Sequence, residues 1–305
     1  MVRDLFQVVL AVTDDLVHDI VSVAVTSFWA YDYFLTLADE VVFLTQSQWK
    51  WAKLLYIVCR YLTCGYLSLE MLVALQPTMS IRTCQTMYYV NTYLGSVIMV
   101  CAEGVFMTRA CAMWEFRRCI TAILLISGLI YIVTGHVVLS LNRSAPIVTK
   151  SPIPVTSCFD TGDGSTIIVV YAILAVAEIQ IWMFTLYKAI TSYWREGTHN
   201  RLLGQLILQN LIYMTCGLLF SITVILTTAL VKAYYGFMIV KFVRIWQVTI
   251  HAFLVTRMSR ELWRVDQQRA LLEPLNTVSP ETLTQRKEMA RPPPVTTLEG
   301  YCGIH

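Results

Sequence analysis

Residues 119–141 read CITAILLISGLIYIVTGHVVLSL. Apart from His136, no side chain in that run can carry charge. As a helix rising about 1.5 Å per residue it would be about 35 Å long. That exceeds the hydrocarbon core of a bilayer, about 30 Å. Six further runs share this character: Leu16–Leu37, Ala52–Leu75, Thr86–Met113, Thr166–Ile190, Leu202–Val231 and Tyr235–Thr256. None alternates with period two over its length, which argues against strands of a barrel. The seven runs predict an all-α fold, a seven-transmembrane helix bundle over residues 1–256. Asp19 and Asp32 make the first run the least apolar, so six spans plus one interfacial helix is the alternative count.

Composition agrees. Of 305 residues, 56% are hydrophobic and 14% charged. Soluble domains carry about 25% charged residues, so too little polar surface is available here to cover a water-soluble globule. Lipid is the expected surroundings and partner. The net charge of +3 is spread along the chain with no basic stripe interleaved with aromatics, which argues against a nucleic-acid partner. The first residues lack a clean apolar core and small-residue cleavage site, so the first span is expected to act as the insertion signal.

Orientation follows from lysines and arginines near the span ends. Lys50, Lys53, Arg109, Arg117, Arg118, Lys188, Arg195, Arg201, Arg257, Arg260 and Arg264 fall on one side. Arg3, Arg82, Arg143, Lys150 and Lys232 fall on the other. The excess places the C-terminus in the cytosol and the N-terminus outside. The sequon Asn142-Arg143-Ser144 lies on the expected outer side. Past Thr256, Met258, Leu262, Val265, Arg269 and Leu272 recur at helical spacing among charges, predicting a short amphipathic helix over 257–272 on the inner leaflet. Residues 273–305 have few apolar groups to bury and are expected to form a disordered cytosolic tail.

Nine cysteines include no CxxC pair or zinc-spaced set. Cys84 and Cys158 both fall on the expected outer, oxidising side, where a bridge would pin the 4–5 loop over the bundle mouth. Free thiols are the other reading, and the bridge is the expected one. Charges inside the spans form two groups. Asp32, Asp39, Glu40, Arg60, Glu103 and Arg109 cluster toward the inner ends of the first three spans. Glu70, His136, Glu178, Lys241 and Arg244 could line a polar pocket opening outward. Opposite charges at matched depth can pair and lower the cost of burial in lipid. The inner group can be a switch or a static lock of helix register; the outer group can be a ligand pocket or structural pairs. No GxSxG, HExxH, P-loop or GxGxxG is present, and no histidine pair has metal spacing, so no enzyme, cofactor or metal is expected.

The block Tyr31-Asp32-Tyr33-Phe34-Leu35-Thr36-Leu37-Ala38-Asp39-Glu40-Val41, then Trp49-Lys50-Trp51 and Cys59-Arg60-Tyr61, resembles an uncharacterised fungal membrane family, domain of unknown function 6533. The resemblance implies a seven-helix fold and no established activity. The layout is also similar to G-protein-coupled receptors in span number, outside N-terminus, the Cys84 and Cys158 placement and the segment after the last span. It departs from them at Thr108-Arg109-Ala110-Cys111, which lacks an acidic-Arg-aromatic triplet. It departs again at Trp246-Gln247-Val248-Thr249-Ile250-His251, which lacks an Asn-Pro and Tyr motif. Lys241 lies too near the outer end for a retinal Schiff base. The expectation is a receptor-like sensor of an extracellular small molecule or peptide, read by a cytosolic G protein in the plasma membrane. The alternatives are a proton-coupled or solute transporter using Asp32, Glu70, Glu103 and Glu178, and a structural membrane protein.

Overall fold

The computed structural model describes residues 2–46, 51–76, 79–141, 148–149, 159–160, 164–196, 201–230 and 236–276. Seven helices follow in order: α1 (Val2–Gln46), α2 (Trp51–Leu75), α3 (Ile81–Met113), α4 (Arg118–Leu141), α5 (Gly164–Glu196), α6 (Arg201–Leu230) and α7 (Gly236–Asn276). Between α4 and α5, β1 (Val148–Thr149) and β2 (Phe159–Asp160) form an antiparallel pair, and β1 packs on α3. Asn142 and Cys158 lie outside the described residues.

Six helices, all but α7, are long and apolar enough to cross a membrane. The chain is a multi-pass membrane protein. Their outward faces show why. On α4, Ile126, Leu129, Ile130 and Val133 are exposed, while Leu124 and Gly128 face inward. A water-soluble helix shows the reverse arrangement, and a contiguous apolar surface of this extent needs lipid to cover it. The described part of α7 carries Arg244, Arg257 and Arg260 within one span length, which keeps it below the apolar threshold the other six meet.

Three element boundaries differ from the sequence reading. The first span does not end near Leu37 with Asp39 and Glu40 at its margin; α1 runs on to Gln46. Glu40 is buried at 1% exposure because Arg60 of α2 faces it, so its charge does not stop the helix. Lys53 Nζ, buried, donates to the Leu44 carbonyl oxygen at 2.7 Å and satisfies an acceptor in the last turn of α1. At the other end of the bundle, α3 begins at Ile81, where the Ser80 hydroxyl accepts from the Thr83 N–H at 3.2 Å as a helix cap. The amphipathic segment over 257–272 is not a separate helix, since α7 is continuous through it. Its first turn is not at a lipid surface either: Met258 and Arg260 are buried, Met258 among Val105, Phe106 and Ala110 of α3. Residues 277–305 of the expected tail are outside the described residues.

The core has three apolar clusters. One joins Val25 and Trp29 of α1, Tyr66 and Leu67 of α2, Ile98 and Met99 of α3, and Ile245, Val248 and Ala252 of α7. A second joins Tyr171 of α5, Val224 of α6 and Val243 of α7. The third lies further along the same helices, with Val105, Phe106 and Ala110 of α3, Ile181 of α5, Met214 of α6 and Val255 of α7. On α5 and α6 a short stretch that holds Glu178, Gly217 and Ser221 separates the second cluster from the third. On α3 and α7, Glu103, Gln247 and His251 lie among the cluster residues.

Candidate functional site

The first polar node ties α1 to α2. Arg60 is 2% exposed and directs all three guanidinium nitrogens at α1. Its Nη1 donates to Asp32 Oδ2 at 3.2 Å, its Nε to Glu40 Oε2 at 3.3 Å and its Nη2 to Thr36 Oγ1 at 2.7 Å. Positions 32, 36 and 40 are one turn apart and share a helix face. The guanidinium also lies over the rings of Tyr33 (4.9 Å) and Trp29 (5.7 Å). A planar cation held by two carboxylates, a hydroxyl and two aromatic faces is well matched to arginine and poorly to lysine. This node ties α1 to α2 through Arg60.

The second node occupies a polar layer among the apolar clusters. His251 of α7 is fully buried, and its Nε2 lies 2.8 Å from Oε1 of Glu178 on α5. The Ser221 hydroxyl of α6 donates to the same Glu178 oxygen at 2.8 Å, and Gln247 Nε2 donates to Ser221 Oγ at 2.7 Å. His251 Nδ1 lies 3.0 Å from the Gln247 carbonyl oxygen. Glu103 of α3 completes the layer: one donor atom each of Glu103, Glu178 and His251 fall within 4.8 Å of one another. Gly217 of α6 makes the room, because a Cβ there would sit 3.1 Å from His251 Nε2. Several polar atoms of this layer are buried without a hydrogen-bond partner among the described residues: both Glu103 carboxylate oxygens, Glu178 Oε2 and Gln247 Oε1.

The expected inner group is therefore split. Asp32, Glu40 and Arg60 meet; Asp39 is exposed. Among the described residues Glu103 is not paired with Arg109 but lies in the polar layer, and Arg109 makes one hydrogen bond, at 3.4 Å from Nη2 to Ser259 Oγ of α7. The physical reason is helical geometry. Six residues advance about 600° around α3, so Glu103 and Arg109 point about 120° apart.

The expected outer group is split too. Glu178 faces the bundle centre. Glu70 of α2 accepts a hydrogen bond from Asn91 Nδ2 of α3. Arg244 of α7 donates from Nη1 to the Tyr88 hydroxyl at 3.3 Å and lies 5.7 Å from that ring's centre. His136 makes no hydrogen bond or ion pair with the rest of the group among the described residues, and the Lys241 side chain lies outside them. Cys84 is disulfide-bonded, with its partner outside the described residues. Six other cysteines are free thiols.

Sequence reasoning missed His251, Ser221, Gln247 and Gly217. The one available signal was polar residues at 247 and 251, a single turn apart in the seventh span. Nothing in the sequence pointed from them to Glu103 or Glu178.

No curated protein and no solved structure matches the chain. Residues 20–65 match the model of one family, described as Family of unknown function (DUF6533), so the matched segment is the one that builds the Arg60 node.

Proposed function

We propose that the protein is a receptor-like sensor in the plasma membrane, with its N-terminus outside and C-terminus in the cytosol. It binds an extracellular small molecule or peptide, catalyses no reaction, and passes a helix rearrangement to a cytosolic G protein. The observation that supports this reading is the state of Arg109. Its Nε and Nη1 are buried without a partner among the described residues, and Nη2 makes only the long bond to Ser259. A cation so weakly held between α3 and α7 favours rearrangement, whereas a static tie is fully bonded, as Arg60 is. Arg109 lies on the side with the excess of basic residues, which the positive-inside rule assigns to the cytosol.

The test uses the full chain in nanodiscs with a purified heterotrimeric G protein. Small molecules and peptides that raise the thermal stability of the nanodisc-held protein are then assayed for nucleotide exchange. Ligand-dependent exchange that Arg109→Ala abolishes is the expected result. Ligands that bind without changing exchange would sink the receptor reading.

A second reading, a proton-coupled or solute carrier, is favoured by the proximity of Glu103, Glu178 and His251 inside the membrane. The described helices run without a break through the polar layer, unlike the interrupted helices that build many carrier sites. Flux into proteoliposomes that Glu103→Gln removes would move the assignment to the carrier.

A further inference from the structure

We infer that Glu103, Glu178 and His251 form a binding site for a divalent transition-metal ion of the zinc class at the centre of the bundle.

The donor set is the first ground. Two carboxylates and one imidazole, from α3, α5 and α7, place one donor atom each within 4.8 Å of one another. Tetrahedral donors at about 2.0–2.2 Å from one zinc ion stand about 3.3–3.6 Å apart. Closing the trio on an ion therefore needs the widest pair to draw in by up to about 1.5 Å and the 2.8 Å His251–Glu178 pair to open slightly. Glu103 has no hydrogen bond to give up in doing so.

The orientation of the histidine is the second ground, independent of the acidic pair. A carbonyl oxygen can only accept, so at the 3.0 Å contact to Gln247 Nδ1 carries a proton. Nε2 lies 2.8 Å from Glu178 Oε1, a position that a proton or a metal ion can fill. A metal-binding histidine is held in this way: the nitrogen away from the metal donates to a carbonyl, which fixes the ring and directs the other lone pair at the ion. Ser221, donating to Glu178 and in turn held by Gln247, orients the carboxylate similarly.

The unpartnered atoms are the third ground. Glu178 is 7% exposed and Gln247 is fully buried, yet Glu178 Oε2 and Gln247 Oε1 have no partner among the described residues, nor does either oxygen of Glu103. Buried polar atoms in folded proteins are nearly always satisfied, by protein, water or an ion, so these four oxygens together form a place where an ion could be held. Arg109, the nearest cation along α3, points away from Glu103, as shown above, and cannot serve.

Charge and softness select the ion. Two carboxylates and a neutral imidazole balance a charge of +2 and leave the low-dielectric layer neutral; an alkali ion would leave a net negative charge there. Imidazole favours zinc, nickel, copper and iron over magnesium or calcium. Three protein ligands leave a fourth position open, as in zinc sites that hold a water or a second ligand.

The experiment needs neither a receptor ligand nor a G protein, so its result is independent of the receptor reading. The full chain, with its affinity tag removed, is stripped with chelator in nanodiscs, titrated with Zn²⁺ and with Co²⁺, and assayed for bound metal by mass spectrometry. One equivalent per chain is expected, and Co²⁺ should give the intense visible bands of a four-coordinate site. His251→Gln should abolish binding. Glu103→Gln, which breaks no hydrogen bond and so should fold, should weaken binding by at least about tenfold. Ser221→Ala, acting through Glu178, should weaken it by about 10–100-fold. Glu70→Gln, which alters a membrane carboxylate outside the site, should leave it unchanged. Absence of stoichiometric binding by folded wild-type protein would overturn the inference. So would binding that survives both His251→Gln and Glu103→Gln, or an infrared signature of protonated carboxyl groups that metal addition does not displace.

Discussion

Replacing Arg60 by methionine tests the α1–α2 node most sharply. The substitution keeps much of the apolar stem and removes a guanidinium that is 2% exposed. It leaves Glu40, 1% exposed, with neither of its carboxylate oxygens bonded, since Oε1 already lacks a partner among the described residues and Oε2 loses Arg60 Nε. It also removes the donor to Asp32 Oδ2 and the donor to the Thr36 hydroxyl, which keeps its own bond to the Asp32 carbonyl oxygen at 2.7 Å. Removing one member of a buried pair costs about 3–5 kcal/mol, because the other charge stays buried and uncompensated. At about 1.4 kcal/mol per decade, the folded-to-unfolded ratio should fall by a factor of about 10²–10³ or more. That is a large share of a typical stability of about 5–15 kcal/mol. Replacing both partners, Arg60→Met with Glu40→Leu, removes the orphaned charge and should recover a good part of the loss. Equilibrium unfolding in mixed detergent–SDS micelles, followed by circular dichroism, gives the four corners of the double-mutant cycle. A loss below about 1 kcal/mol for Arg60→Met, or a double variant that loses the sum of the two single losses, would refute a buried, mutually dependent node.

Four further outcomes follow from the same reasoning. Gly217→Ala puts a methyl group 3.1 Å from His251 Nε2, on a fully buried ring tied through Nδ1 to the Gln247 carbonyl oxygen, and should lower stability by about 1–3 kcal/mol in the same unfolding assay. Gly128→Ala meets the end of the Met107 side chain, which can swing aside, so despite the closer 2.5 Å approach it should be near neutral, offset by about 1 kcal/mol of helix propensity. Lys53→Met strips the Leu44 carbonyl of its donor and should cost about 1–3 kcal/mol, with faster amide exchange over the last turn of α1 read by mass spectrometry. Cys84→Ser should cost about 2–5 kcal/mol, and non-reducing peptide mapping of the wild type should recover Cys84 joined to Cys158; Cys84 joined to Cys302 would remove the loop-pinning role.

The Arg60 node was legible because all its parts obey local rules. Asp32, Thr36 and Glu40 repeat at four-residue spacing, and Arg60 sits at matching depth in the very next span, so chain connectivity supplies the neighbour. Even there the helix end was misplaced. An acidic pair reads as a margin unless the cation that neutralises it is known to face it. The polar layer was not legible. Glu103 was grouped with Arg60 and Arg109 because depth alone places them together, although the helical angle turns Glu103 away from Arg109. Glu178 was assigned to an outer pocket because its depth alone does not say which neighbour it faces. His251 was read as an isolated structural histidine because metal-ligand spacing rules detect ligands on one helix or one loop, and these three come from separate helices.

By itself the sequence determined that the chain folds as long apolar helices in a bilayer, since hydrophobic length is a local property and every backbone group in lipid must be satisfied within its own helix. It also determined which arginine locks the first two helices. Only the tertiary structure decided which helices are neighbours and which way each polar face turns, and so which charges meet. Lipid offers no preference among apolar faces, so that choice rests on close packing. Here the packing leaves room at Gly217 for an imidazole and brings two carboxylates to its edge.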